Sequence, residues 1–296
     1  MGAVGSILLI GATGQLGTDL RGTLPAAALV PLPRADLDIT DPDAVARALD
    51  AHAPAWVVNT AAFHRVDDIE RDESSARQAF AVNAEAVGEL ARACARRQTR
   101  FLTLSTDYVF GGGAPGPYGE DAQPDPVNVY GQSKLEGERR VRAASPDHLV
   151  VRSSGLYGVA GSSGKGGNFV ETMLRLAREG RDIAVVDDQV LAPTYTADLA
   201  AGIGQLLAAN APGGVYHLTN AGACSWFEFA RHIFALCGLA PKLAPTTSAA
   251  YGAPARRPTH SVLANTRAAA LGLPPLRAWP EALAAYLRAK GYRPTV

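Results

Sequence analysis

Tyr130 and Lys134, in the run Tyr130-Gly131-Gln132-Ser133-Lys134, are the residues of this chain best suited to proton transfer. On a helix their spacing puts both side chains on one face, about one turn apart. An ammonium beside a phenol favours the tyrosinate, so the pair is expected to lower the tyrosine pKa from about 10. That would supply a proton donor usable near neutral pH. With only four lysines (134, 165, 242 and 290) and nine tyrosines in 296 residues, chance gives far less than one such pair.

Upstream, Gly11-Ala12-Thr13-Gly14-Gln15-Leu16-Gly17 directly follows the apolar run 6–10 and opens a helical pattern. Glycines at this spacing permit a tight turn and close backbone approach, and the helix N-terminus that follows can face a pyrophosphate. Loop and Tyr/Lys pair together point to carbonyl–alcohol chemistry with a nicotinamide cofactor. The acid expected about 20 residues further on is ambiguous. The second strand ends at Leu32-Pro33-Arg34, with Asp36 and Asp38 just beyond. Arg34 suits a 2′-phosphate, whereas either aspartate suits a ribose hydroxyl. NADPH is therefore expected, with NADH tolerated. Ser105-Thr106-Asp107-Tyr108 follows the fourth strand and should emerge at the C-terminal edge of the sheet, where the Thr106 hydroxyl could hold a carbonyl.

The elements that must position these groups alternate. Strands are expected at 6–10, 28–32, 56–59, 101–105 and 148–153, and helices at 15–24, 42–52, 74–97 and 128–144. Such alternation implies an α/β fold with a doubly wound parallel (Rossmann) sheet. Past residue 153 the texture changes. A glycine/serine loop at 158–167 is followed by helices at 168–179, 196–209, 225–237 and 279–290, a strand at 214–219 and a loop-like stretch at 241–258. Residues 1–152 are read as a nucleotide-binding domain. Residues 153–296 are read as a smaller, mixed α/β substrate domain, with part of 190–220 packing back on the first. The cleft between them is the expected binding site.

Composition narrows the alternatives. Lys+Arg and Asp+Glu are both 28, so no global field attracts nucleic acid or an anionic membrane. Cys94, Cys224 and Cys237 form no C-x-x-C pair, and the six histidines show no H-E-x-x-H, so no disulfide framework and no metal site is expected. No G-x-S-x-G elbow occurs. The run Gly161-Ser162-Ser163-Gly164-Lys165-Gly166 lacks a first glycine at P-loop spacing and a Ser or Thr after its lysine. No stretch is apolar for the ~18–20 residues a membrane span needs, and no secretory leader is apparent. A cytoplasmic protein is expected.

The chain resembles an extended short-chain dehydrogenase/reductase, specifically the dTDP-4-dehydrorhamnose reductase group, from Ile7 to about Leu287. The resemblance is carried by the Gly11–Gly17 loop, Leu37-Asp38-Ile39-Thr40-Asp41-Pro42, Asn59-Thr60-Ala61-Ala62 and Val82-Asn83-Ala84. The most specific runs are Ser105-Thr106-Asp107-Tyr108-Val109-Phe110-Gly111 and Asn128-Val129-Tyr130-Gly131-Gln132-Ser133-Lys134-Leu135-Glu136-Gly137-Glu138. Later matches are Gly167-Asn168-Phe169, Asp188-Gln189, Ala192-Pro193-Thr194 and Arg257-Pro258.

This resemblance implies NADPH-dependent reduction of the C4 carbonyl of a nucleotide-linked 4-keto-6-deoxy sugar, dTDP-4-dehydrorhamnose above all. Tyr130 would donate the proton, Lys134 would lower its pKa and bind the nicotinamide ribose, and Thr106 would orient the carbonyl. Gly11, Thr13, Gly14, Gln15, Leu16, Gly17, Arg34, Asp38, Ile39, Ala61, Ala62 and Asn83 would serve the cofactor. Ser105, Asp107, Asn168, Gln189 and Arg257 would serve the sugar nucleotide. Two segments depart from the family pattern: Phe63-His64-Arg65-Val66-Asp67-Asp68, and Gly155 where an aromatic is common. A dehydratase is disfavoured because Tyr108, rather than a second carboxylate, follows Asp107. An epimerase of the same fold and a non-catalytic NADP-binding regulatory subunit are the remaining alternatives. Relatives of the fold often form dimers, which leaves a homodimer open.

Overall fold

A computed structural model describes residues 5–114, 116–161 and 167–294. Most of the P-loop-like run, including Lys165, lies outside the described residues. The first half alternates β1 (Ile7–Ile10), α1 (Gln15–Thr23), β2 (Leu29–Leu32), α2 (Pro42–His52) and β3 (Trp56–Asn59). It continues with α3 (Val66–Arg71), α4 (Glu73–Phe80), α5 (Val87–Arg96), β4 (Arg100–Thr106), α6 (Val129–Ala144) and β5 (Leu149–Ser153).

All four residues of β1 are buried, as expected of a parallel strand covered on both faces. Alternation sends Ile7 and Leu9 to a core shared with Leu16 and Leu20 of α1, while Leu8 and Ile10 join Val45 and Leu49 of α2 and Leu90 of α5. Asp41 caps α2 through the amides of Asp43 and Ala44, with Pro42 in the first turn.

Beyond β5 come β6 (Leu156–Tyr157), α7 (Phe169–Arg178), β7 (Ile183–Val186), β8 (Val190–Leu191), β9 (Thr194–Tyr195) and α8 (Thr196–Ala208). They are followed by β10 (Gly214–His217), β11 (Cys224–Ser225), α9 (Trp226–Leu236), β12 (Leu243–Thr246), α10 (Ser248–Tyr251), α11 (Thr266–Ala270) and α12 (Trp279–Ala289). Strand β10 pairs with β5, so among the described residues six strands form one parallel sheet in the order β10-β5-β4-β3-β1-β2. Leu199, Ile203 and Leu206 of α8 share the α1 core. A separate core gathers Tyr157, Leu174, Ile183, Phe229, Ile233 and Tyr286 from α7, α9, α12 and their neighbours. Strand order reverses between β1 and β3, and the crevice beyond the C-terminal ends of such strands is where doubly wound sheets take ligands. No helix among the described residues is long and apolar enough to cross a membrane.

Two expectations need correction. The stretch 241–258 is not a plain loop, because it holds β12 and α10. Strand β12 pairs in parallel with β7, and Pro245 hides it from a propensity reading. Proline is tolerated there because a two-stranded sheet consists of edges. The helix expected at 74–97 is interrupted by a π-helical turn, Ala81–Ala86, between α4 and α5. That turn carries buried Asn83, and α6 packs tightly onto it. A β-carbon at Gly137 would lie 2.1 Å from the Asn83 carbonyl oxygen.

Gly137→Ala should therefore destabilise the fold by about 1–3 kcal/mol through overpacking. Gly22→Ala, in α1 with nothing within 4 Å of the added carbon, should stabilise it by about 0.4–1 kcal/mol. Denaturant unfolding of both variants checks the contrast.

Candidate active site

The glycine loop joins β1 to α1. Gly11 has φ +77, a conformation that favours glycine, and both its amide and that of Ala12 donate to the Leu32 carbonyl. Helix α1 begins after Gly14 with no side-chain cap and no acid in its first turn. Its first-turn amides and the positive end of its dipole are therefore not answered by a local carboxylate. Thr13, Gly14, Gln15 and Leu16 face a cleft of about 510 Å³. A diphosphate fits the chemistry of this end. Gly17 differs from the sequence expectation. It does not line the cleft, and a β-carbon there would lie 2.2 Å from the Gly11 carbonyl oxygen. The third glycine thus serves close packing of α1 on the loop.

Arg34, Asp38, Ile39, Ala61 and Ala62 line the same cleft. Asp38 accepts from the amide and hydroxyl of Thr40 at 2.9 and 2.7 Å. The Thr40 hydrogen bonds hold this carboxyl below its usual range, with a smaller contribution from Arg34. Arg34 stands 3.6 Å from it with 79% of its side chain exposed. Asn83 is behind the wall rather than in it. Its amide accepts from Phe63 N and donates to Phe63 O, both at 2.8 Å, and donates to Ser133 Oγ at 3.1 Å. It fixes the backbone that follows Ala61-Ala62, a task for which π-turns are recurrent devices.

Thr106, Tyr130 and Lys134 line the same cleft. Thr106 ends β4, and Asn128 caps α6 by accepting from the Gly131 amide at 2.7 Å. Tyr130 lines the cleft beside Thr106 and packs edge-on to Tyr108, with ring centroids 5.9 Å apart. Lys134 donates through Nζ to the Leu104 carbonyl at 2.6 Å. Burial brings Lys134 down to about 8, opposed by the charge of Glu138. The expected lowering of the tyrosine by this lysine is corrected here. Burial, and then the charge of Asp107, push the Tyr130 phenol well above its usual range, with the Thr106 hydrogen bond acting the other way. Tyr130 accordingly holds its proton at neutral pH.

The residues expected on the sugar side separate. Ser105 lines the cleft, but its hydroxyl donates at 2.5 Å to Glu138, which is paired at 2.6 Å with equally buried Arg152. Asp107 is buried and its carboxylate accepts from three hydroxyls. Asn168 lines the cleft while capping α7 and donating to the Gly158 carbonyl and Tyr286 hydroxyl. Gln189 lines it and donates to Ser248 Oγ at 2.8 Å. Arg257 is not among the lining residues. It donates to the Asp67 carboxylate and the Ala255 carbonyl, both at 2.9 Å. Missing from the sequence reading are Phe169 and Trp226, which line the cleft with ring centroids 4.6 Å apart. Phe169 sits within the Gly167-Asn168-Phe169 motif, which was the available signal. Gly155 has φ +54, and a β-carbon there would lie 2.7 Å from Leu191 Cδ1, so Leu191 occupies the adjacent space.

A family model described as the RmlD substrate binding domain matches residues 5–291. The chain is 45% identical to a dTDP-4-dehydrorhamnose reductase of Streptomyces griseus, over 93% of this chain and 91% of that one. It is 40% identical to a dTDP-4-keto-6-deoxy-D-glucose reductase of Streptomyces niveus, over 93% of this chain and 94% of that one. Among solved structures, a dTDP-4-dehydrorhamnose reductase of Bacillus anthracis in complex with NADP superposes with a TM-score of 0.90 at 34% identity, covering 97% of this chain and all of that one. With the cleft architecture, these likenesses show that the chain belongs to the dTDP-4-dehydrorhamnose reductase family of NAD(P)-dependent oxidoreductases.

Proposed function

We propose that this protein uses NADPH to reduce the C4 carbonyl of a nucleotide-linked 4-keto-6-deoxy sugar, converting dTDP-4-dehydrorhamnose to dTDP-rhamnose. The observation that carries the reading is that Thr106, Tyr130 and Lys134 line one cleft together with an uncapped helix N-terminus and the Phe169–Trp226 pair. Tyr130, protonated at neutral pH, donates its proton to the carbonyl oxygen as negative charge develops there. A positioned acid of this kind is typically worth about 10²–10⁴-fold. Thr106 beside it completes the polar patch where that oxygen sits. Lys134, tethered to the Leu104 carbonyl, holds the nicotinamide ribose. When bound, the reduced nicotinamide supplies the two-electron reducing equivalent.

The α1 N-terminus would take the cofactor diphosphate, and Arg34 would take the 2′-phosphate. The Bacillus anthracis relative, crystallised with NADP, supports the cofactor assignment. The named activity of the Streptomyces griseus relative supports the sugar. Phe169 and Trp226, tilted 47° to each other, would give the sugar nucleotide an apolar aromatic surface to pack on.

Arg34→Ala should lower the NADPH/NADH ratio of kcat/KM roughly three- to tenfold, the range expected for one exposed charge-assisted contact. An unchanged ratio would remove Arg34 from the cofactor site. A panel of keto sugar nucleotides, followed by NADPH absorbance, tests the substrate. Rapid consumption with dTDP-4-dehydrorhamnose is expected. Consumption only with another 4-keto sugar would replace the substrate and keep the chemistry, and none with any keto sugar would refute catalysis.

A further inference from the structure

Asp107 follows Thr106 and opens a 3-10 turn, Asp107–Val109, yet only 3% of it is exposed. Its Oδ1 accepts from Thr106 Oγ1 at 3.1 Å. Its Oδ2 accepts from Ser154 Oγ at 2.7 Å and Ser261 Oγ at 2.6 Å. No lysine, arginine or histidine pairs with it among the described residues. A buried carboxylate answered only by neutral hydroxyls is costly to keep, and an apolar residue could fill this space with less penalty.

The geometry supplies a use for it. A threonine hydroxyl has one proton and two lone pairs. At Thr106 the proton goes to Asp107, and one lone pair accepts from the Tyr108 amide at 3.2 Å. Those two bonds fix the rotamer of a hydroxyl that lines the cleft together with Tyr130. Ser154 follows the exit of β5. Ser261 lies on a segment tied to β8 by its amide, which donates to the Val190 carbonyl at 2.9 Å. The carboxylate thus joins Thr106 to two further stretches of chain.

The geometry points to Asp107 as a positioning residue that acts through Thr106, holding its hydroxyl in one orientation within the cleft it shares with Tyr130 and anchoring that orientation to the segments carrying Ser154 and Ser261. Asp107 itself lines the cleft, but both its carboxylate oxygens are engaged by protein hydroxyls, and its role is assigned through Thr106. The inference rests on the reading of Thr106 and Tyr130 as the reacting pair, and it goes beyond that reading by assigning the residue that preorganises them.

A double-mutant cycle on the full-length protein tests it. Thr106→Ala, Asp107→Ala and the double variant are compared with wild type for kcat and KM with dTDP-4-dehydrorhamnose, for NADPH affinity by fluorescence titration, and for melting temperature. Asp107→Ala should lower kcat about ten- to hundredfold, with KM and NADPH affinity within about threefold of wild type. The double variant should be no slower than Thr106→Ala by more than about twofold, because Asp107 has nothing to position once the hydroxyl is gone. If the alanine variant does not fold, Asp107→Ser stands in with the same expectations, being polar but too short to reach Thr106. Losses that multiply in the double variant, or wild-type kcat in Asp107→Ala beside a slowed Thr106→Ala, overturn the inference. Wild-type kcat in Thr106→Ala would instead overturn the site reading beneath it.

Discussion

Helix α6 lies so close to its neighbours that two of its positions have no room for a β-carbon. One at Gly131 would fall 2.2 Å from the Tyr108 carbonyl oxygen, and one at Gly137 would fall 2.1 Å from that of Asn83. The first contact sets α6 against the turn that follows β4, and the second sets it against the π-helical turn. Tyr130 immediately precedes the first contact, and Lys134 lies between the two. Where α6 sits therefore decides where the phenol and ammonium stand relative to Thr106 and to the glycine loop across the cleft. An offset of about 1 Å here would spoil an alignment on which positioned catalysis depends.

Two buried carboxylates flank the reacting pair, with different company. Glu138 is matched by Arg152 and by the Ser105 hydroxyl, and its charge supports the Lys134 ammonium against burial. Asp107 has hydroxyls alone, and its charge opposes ionisation of Tyr130. Both carboxylates thus favour the protonated form of their neighbour. A site in which phenol and ammonium keep their protons is arranged to give a proton to a developing alkoxide, the direction that reduction requires.

The parts legible in the sequence were those whose chemistry is local. The Gly11–Gly17 loop, the Tyr130/Lys134 spacing and the alternation around β1 to β5 each follow from neighbours within a few residues. The parts that stayed hidden depend on distant partners. Nothing near Gly137 announces the carbonyl that crowds it, and the π-turn at Asn83 reads as ordinary helix. Arg257 looks like an anion partner until Asp67, far away in the chain, is found to hold it. The lowered tyrosine pKa inferred from spacing failed for a similar reason. Spacing shows the ammonium but not the burial and the Asp107 charge that outweigh it.

The central claim is that Tyr130 is the proton donor and little else. The direct measurement is the turnover of Tyr130→Phe with NADPH and dTDP-4-dehydrorhamnose, taken with its NADPH dissociation constant. Turnover should fall by about 10²–10⁴-fold while the dissociation constant stays within about threefold of wild type. Near-normal turnover in this variant would contradict the account.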